Sequence, residues 1–256
     1  MIHSIHMIAR LSFIEMLRNK VLYGILAFVI IMLLVATALA SVTMGRTELM
    51  IQDLGLGMIS IIANLTAILF VIQSLQQDRT NRNLYILLMR IDNRALYLLG
   101  KFLGIATILS ALILAMYFLL ALMILPFGQI HWVSSFQACL ATVLEVWIVI
   151  ALALVFAQTS SLFLSVLLTV AVDIAGRFTS VIHDLGQQSA SPILKTLSQV
   201  MYYLLPNLEA VNLRNDAGYI AFYAWDRFAH LWLYGLVETA LLISIACWIF
   251  SRRNLS

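Results

Sequence analysis

The sequence predicts an all-α polytopic membrane protein, and three observations support this fold class. The 256 residues are 63% hydrophobic and only 11% charged, whereas soluble domains carry about a quarter charged residues. The mean hydropathy is +1.00, too apolar for a soluble, disordered or nucleic-acid-binding chain. The long apolar stretches are continuous. This excludes an outer-membrane barrel, whose strands alternate apolar and polar residues.

Six apolar stretches approach the ~20 residues that a helix needs to cross a bilayer. We predict spans at residues 21–42, 54–75, 102–125, 136–157, 160–176 and 231–250. Only Gln158, Thr159 and Ser160 separate the fourth span from the fifth, which predicts a tight helical hairpin. The whole chain, residues 1–256, is predicted to form a single transmembrane domain.

The segments outside the spans carry their own predictions. Residues 1–20 mix apolar and basic side chains, which favours an interfacial helix on the membrane surface; the alternative is a simple basic anchor. Residues 177–230 form a long extracytoplasmic loop. Its apolar stretch at 193–205 is too short to cross, so it re-enters the membrane or lies on its surface.

The basic residues orient the chain, because cytoplasmic loops are rich in lysine and arginine. With six spans, ten of them fall on one side: Arg10, Arg18, Lys20, Arg79, Arg82, Arg90, Arg94, Lys101, Arg252 and Arg253. The first loop on the other side has only Arg46. We therefore predict that both termini are cytoplasmic and that the net charge of +3 reflects topology.

The loop at residues 76–101 has a charged, apolar, charged pattern. Leu84, Leu87 and Leu88 are spaced as one face of a short helix. Charged residues flank this face: Asp78, Arg79, Arg82, Arg90, Asp92, Arg94 and Lys101. One interpretation is a surface helix that docks a soluble partner. The other is a solvated loop whose arginines only set topology.

Four polar residues lie inside the predicted spans: Asn64, Glu145, Asp173 and Glu238. Ionised groups are costly in a bilayer, so each acid is a candidate for function. Asp173 is four residues before Arg177, which predicts a local ion pair. Glu145 and Glu238 are either buried acids, protonated or paired, or part of a transport route or dimer contact. Asn64 is suited to bonding across helices.

Motifs for chemistry are missing from the sequence. It contains no GxxxxGK[ST] loop for nucleotide phosphates, no HExxH and no GxSxG. Its two cysteines, Cys139 and Cys247, both lie in apolar segments and form no CxxC pair. We therefore expect no catalytic residue, no metal site and no directly bound cofactor, and the chain is predicted not to be an enzyme.

Several short motifs, in order, resemble those of type-2 ABC transporter permeases. An acidic–arginine pair follows the second span, then a Leu-Leu, a turn ending in arginine, and a Gly-Lys-Phe that opens the third span. Here these are Asp78-Arg79, Leu87-Leu88, Ile91-Asp92-Asn93-Arg94 and Gly100-Lys101-Phe102. The segments Glu15–Lys20, Leu204–Asn207 and Phe250–Leu255 are similar to family motifs as well. The proline usual in the turn is absent.

The resemblance implies a function. The chain would be the membrane subunit of an ATP-driven exporter in the bacterial cytoplasmic (inner) membrane, acting as a dimer with a second permease copy. Separate ABC ATPase subunits would bind the ATP and Mg²⁺. Loop 76–101 would contain the coupling helix, and the 158–161 hairpin and the N-terminal helix would add contacts. The alternatives are a secondary transporter using Glu145 and Glu238, or a membrane scaffold.

Overall fold

A computed structural model gives the fold of residues 9–11, 14, 28–35, 38, 47–80, 94–128, 130–189 and 191–252. Every regular element in these ranges is helical. Residues 28–35 are helical, and the longer helices are α1 (Thr47–Thr80), α2 (Arg94–Ile124), α3 (Trp132–Thr159), α4 (Leu162–Arg177), α5 (Thr179–Gln188), α6 (Pro192–Leu204) and α7 (Trp225–Arg252). Two 3₁₀ turns, Glu209–Val211 and Arg214–Asp216, lie between α6 and α7.

The predicted all-helical membrane class is confirmed in its coarse form. Helices α1, α2, α3 and α7 are each long and apolar enough to cross a membrane. The bent pair of α4 and α5 makes a fifth crossing if it is one span. Most of the first predicted span, 21–42, lies outside the described residues, so the count of six stays a prediction.

The observed helices extend beyond the spans that hydropathy marks. α1 covers 34 residues and α2 covers 31, about 50 and 45 Å of helix at ~1.5 Å per residue. Both are longer than the ~30 Å hydrocarbon core. Their charged ends at residues 76–80 and 94–101 are therefore helical continuations, and of the predicted loop only 81–93 lies outside the described residues.

Helix α3 is the centre of the bundle. It packs against α1, α2, α4 and α7, and most of its side chains are buried on every side. A helix that is apolar all round is suited to such a central position. Its indole at Trp147 donates a hydrogen bond to Ser110 Oγ of α2 at 3.0 Å.

Helices α3 and α4 form the tight hairpin that the sequence predicts. The chain reverses at Ser160 and Ser161, and Ser165 Oγ donates to the carbonyl of Phe156 at 3.0 Å across the turn. α4 is only 16 residues long, about 24 Å, so it is shorter than the hydrocarbon core. It ends at Arg177, where the chain bends by 60° into α5.

The bend at Phe178 leaves helix carbonyls that need partners, because unpaired backbone groups at membrane depth are costly. Thr179 Oγ1 donates to the carbonyls of Ala175 and Gly176 at 3.1 and 2.9 Å. The Leu208 amide donates to Gly176 O at 3.1 Å. The carbonyls at the bend therefore accept hydrogen bonds from the Thr179 side chain and from the loop after α6.

The stretch predicted to be too short to cross forms α6, a 13-residue helix with proline in its first turn. It packs against α5 as a helical hairpin. Both helices keep large apolar side chains exposed, such as Leu185, Ile193 and Tyr203. Either predicted placement, re-entrant or on the membrane surface, gives these side chains an apolar surrounding.

We expect opposite effects from alanine at two helical glycines. A Cβ at Gly176 would lie 2.6 Å from the Pro206 carbonyl oxygen, whereas a Cβ at Gly57 meets nothing within 4 Å. Gly176→Ala should cost about 1–3 kcal/mol through overpacking. Gly57→Ala should be neutral or stabilise by about 0.5–1 kcal/mol through helix propensity. The Tm of each variant in nanodiscs measures this, and equal Tm values would contradict the packing at the bend.

Candidate functional site: a buried charge cluster

The best-defined polar site surrounds Glu145, at the middle of the most buried helix. Glu145 lies 13 residues after the start of α3 and 14 before its end, so each end is about 20 Å away. Its side chain is 1% exposed. A carboxylate in this position must be paired or protonated, because an isolated charge there is poorly solvated.

Both carboxylate oxygens of Glu145 have a guanidinium partner. Arg177 Nη2 lies 2.5 Å from Oε1, and Arg214 Nη2 lies 3.2 Å from Oε2. Asn64 Nδ2 of α1 donates to Oε1 at 3.0 Å. The Ser60 hydroxyl lies 3.4 Å from both oxygens. The interpretation of Glu145 as a paired buried acid is confirmed, as is the bonding of Asn64 across helices.

The short helix α4 supplies the second acid and the first arginine. Arg177 Nε donates to Asp173 Oδ2 at 3.3 Å, which confirms the ion pair predicted from their spacing. Arg177 therefore bridges Asp173 on its own helix and Glu145 on α3. Arg177 lies 15 residues after the start of α4 and Glu145 lies 14 residues before the end of α3, so the hairpin brings the two side chains to the same level.

The second arginine comes from the loop after α6. Arg214 lies in a 3₁₀ turn, and its Nε donates to Asn212 Oδ1 at 3.0 Å. The loop is held on α3 by Gln137, whose amide bonds both the N–H and the C=O of Tyr223 at 2.8 and 3.1 Å. Ser134 Oγ also donates to the carbonyl of Ala217.

Tyr223 adds another support to the same loop. Its hydroxyl donates to the carbonyl of Leu213 at 2.8 Å. Burial, followed by the nearby Asp216 carboxylate, raises the pKa of Tyr223. The hydroxyl therefore keeps its proton and remains a donor beside Arg214.

The four charged groups of this cluster balance. Glu145 and Asp173 contribute two negative charges, and Arg177 and Arg214 contribute two positive charges. We call these four residues the charge cluster. It joins α3, α4 and the loop after α6, and through Asn64 it contacts α1. Breaking one partner of a buried pair leaves an uncompensated charge, which is strongly destabilising, so the cluster fixes the relative positions of these elements.

A second polar group lies where α1 ends and α2 begins. The Tyr97 hydroxyl and the Lys101 ammonium both donate to Asp78 Oδ2. Lys101 is 2% exposed and Asp78 15%, so the pair is largely out of water. The Tyr97 ring stacks on Phe250 of α7 at 5.9 Å between centroids. We call Asp78, Tyr97 and Lys101 the Asp78 clamp.

The other predicted partner-contact residues have less structural description. Arg79 and Arg94 lie at helical positions in α1 and α2. The remaining ones fall in 81–93, outside the described residues: Arg82, Leu87, Leu88, Arg90 and Asp92. Their role in docking stays a prediction.

Glu238 does not join the charge cluster. It lies in α7, is partly exposed, and has no ion pair with a residue in the described ranges. The structure therefore separates the two acids that hydropathy treats alike, because Glu145 alone faces both α4 and the loop.

Two members of these sites carry no signal in the sequence. Arg214 lies in a loop that hydropathy assigns to the aqueous phase, and Tyr97 resembles any interfacial aromatic residue. A search for basic residues that could balance Glu145 would have included Arg214, but the sequence offers no way to choose it over Lys195 or Arg227.

Comparison with known proteins adds no assignment: no protein-family model and no curated protein matches this chain. The class that the fold defines is a helical membrane protein, with four or five candidate spans among the residues that the structure describes.

We expect Glu145→Gln to lower the free energy of unfolding by about 2–4 kcal/mol. This loss is smaller than the ~3–5 kcal/mol expected when one partner of a fully buried ion pair is removed. Arg177 would still be paired with Asp173, and its side chain is 26% exposed to solvent. Glu238→Gln is the matched control and should change stability by less than about 1 kcal/mol.

The double variant Glu145→Gln/Arg214→Gln should lower the free energy of unfolding by less than the sum of the two single variants. The second substitution removes the charge that the first leaves unpaired. Tm values in nanodiscs give the comparison. Equal Tm values for Glu145→Gln and Glu238→Gln would contradict the cluster.

Proposed function

We propose that this chain is the membrane-spanning permease subunit of an ATP-driven ABC exporter. In this proposal it acts as a dimer and receives work from separate ATPase subunits that bind ATP and Mg²⁺. The proposal places both termini and the 81–93 segment on the cytoplasmic side of a bacterial inner membrane. It rests on the helical membrane class, on the order of the motifs and on the Asp78 clamp.

The Asp78 clamp is the observation that carries the proposal. Asp78 belongs to the acidic–arginine pair after the second span, and Lys101 belongs to the Gly-Lys-Phe motif before the third. Their side chains are paired. The clamp therefore joins the end of α1 to the start of α2, the two helices that residues 81–93 connect. A force on that segment would act on both helices together. A flexible connection would dissipate the same force.

The helices offer a continuous route from the clamp to the charge cluster. Asn64 lies 14 residues before Asp78 on α1, about 21 Å along the helix, and it bonds Glu145. A shift of α1 along its axis would change that bond. In this proposal, such a shift of α1 is how the ATPase subunits would switch the permease between the two states of a transport cycle.

The secondary-transporter alternative requires Glu145 to take up and release protons. In the structure both of its oxygens face guanidinium groups at 2.5 and 3.2 Å. With both oxygens engaged and the side chain only 1% exposed, Glu145 is not open to solvent in this arrangement, as that alternative would need. No feature of the described residues favours the scaffold alternative over the exporter.

The first test is purification of the full chain from its host in mild detergent, with cross-linking before lysis. We expect a P-loop ATPase in stoichiometric amount. Arg82→Glu should reduce its recovery at least fivefold, because it reverses charge in the proposed docking segment. Arg227→Glu, in the first turn of α7, is the matched control and should leave recovery unchanged. Absence of an ATPase from the cross-linked sample would overturn the proposal.

A second variant separates docking from coupling. Asp78 is internal to the clamp, so Asp78→Asn should leave ATPase recovery within about twofold of the parent chain. The stimulation of ATP hydrolysis by the permease should fall about threefold or more, because α1 and α2 no longer move as one body. Asp78→Glu should restore part of it. Loss of ATPase recovery in Asp78→Asn would instead make Asp78 a docking residue.

A further inference from the structure

A polar depression lies beside the charge cluster, between α1 and the loop after α6. Its volume is about 410 Å³, within the ~300–1,000 Å³ of typical small-molecule sites. Its lining consists of Asp53, Gly57, Ile61, Arg177, Asn212, Arg214, Asn215 and Tyr219. We call it the polar depression. Asp53 is the seventh residue of α1, about 9 Å from the start of the helix.

The charges of this lining are not balanced. Arg177 and Arg214 are already neutralised by Glu145 and Asp173. Asp53 forms no ion pair with a described residue, and its Oδ1 is buried without a hydrogen-bond partner. Of the charged groups that line the depression, Asp53 is therefore the one whose charge the described residues leave uncompensated. The ligand that best complements it is a cation.

The shape and the apolar lining narrow the class of cation. Gly57, one turn after Asp53, has open space where a Cβ would lie, so the helix backbone forms a concave wall. Ile61 and Tyr219 belong to the lining and are 53% and 63% exposed overall. An aliphatic side chain and an aromatic ring suit an organic body, and a ring face near a positive charge adds a cation–π contribution.

We propose that the polar depression is a binding site for small amphipathic organic cations, with Asp53 as the counter-charge and Gly57, Ile61 and Tyr219 around the organic body. Asn215 offers an amide oxygen to any N–H of such a ligand, whereas the amide oxygen of Asn212 already accepts two hydrogen bonds from Arg214. The site stands on the geometry of this chain alone and does not require the ATPase partnership.

The test uses two probes of the same shape and opposite charge, tetraphenylphosphonium and tetraphenylborate. Binding to the full chain is measured in phosphatidylcholine nanodiscs, with protein-free nanodiscs subtracted. We expect saturable binding of tetraphenylphosphonium. Asp53→Asn should weaken it about five- to tenfold, as expected for the loss of one partly exposed charge contact of about 1–1.4 kcal/mol. Asp53→Glu should keep the Kd within about twofold.

A steric variant makes the test independent of charge. Gly57→Leu places a side chain in the open space of the depression and should weaken the binding of tetraphenylphosphonium about tenfold without lowering Tm. Glu238→Gln, a carboxylate change on another helix, is the matched control and should leave binding unchanged.

Three results would overturn the proposal. The first is no binding of tetraphenylphosphonium above the protein-free nanodiscs. The second is an unchanged Kd in both Asp53→Asn and Gly57→Leu. The third is tighter binding of tetraphenylborate than of tetraphenylphosphonium, which would mean that the arginines, and not Asp53, govern the depression.

Discussion

The placement of Glu145 between two guanidinium groups is the constraint on which the arrangement of this protein depends. A carboxylate halfway along the central helix needs counter-charges at its own depth. Arg177 reaches that depth because it lies as far from the α3–α4 turn as Glu145 does, and Arg214 reaches it because the loop after α6 folds back on α3. The short helix, the bend after it and the loop that follows α6 together bring two guanidinium groups to one buried carboxylate.

The loop after α6 shows how irregular backbone is accommodated beside membrane-spanning helices. Its amides and carbonyls bond Gln137, Ser134 and Gly176, so they do not depend on water. Non-helical backbone is tolerated at such depth where protein buries it or where it lines a cavity. Here it does both, because Asn212, Arg214, Asn215 and Tyr219 of this loop also line the polar depression.

The two polar groups tie together different sets of helices. The Asp78 clamp ties together the ends of α1 and α2, whereas the charge cluster ties α1 to α3, α4 and the loop. Helix α1 belongs to both, and it also carries Asp53. In the two proposals, a force at 81–93 would be transmitted along α1 from Asp78 to Asp53, which lines the polar depression. No other element is needed to connect them.

Much of the membrane architecture follows from the sequence. Continuous apolar stretches determine long helices, because only these satisfy the backbone in a bilayer. The i, i+4 spacing of Asp173 and Arg177 was enough to predict their pair. The position of Glu145 within a span left open a protonated or paired buried acid, a transport route or a dimer contact. Helix lengths were underestimated, because hydropathy marks only the apolar part and charged ends continue as helix.

Only the tertiary structure decided which cation meets which acid. Arg214 and Glu145 are far apart along the chain, and no periodicity links a loop residue to a helix at a given depth. The same holds for Asp78, Tyr97 and Lys101. Local sequence specifies helices because their hydrogen bonds span four residues, but the pairing of buried charges depends on how those helices and the returning loop pack in three dimensions.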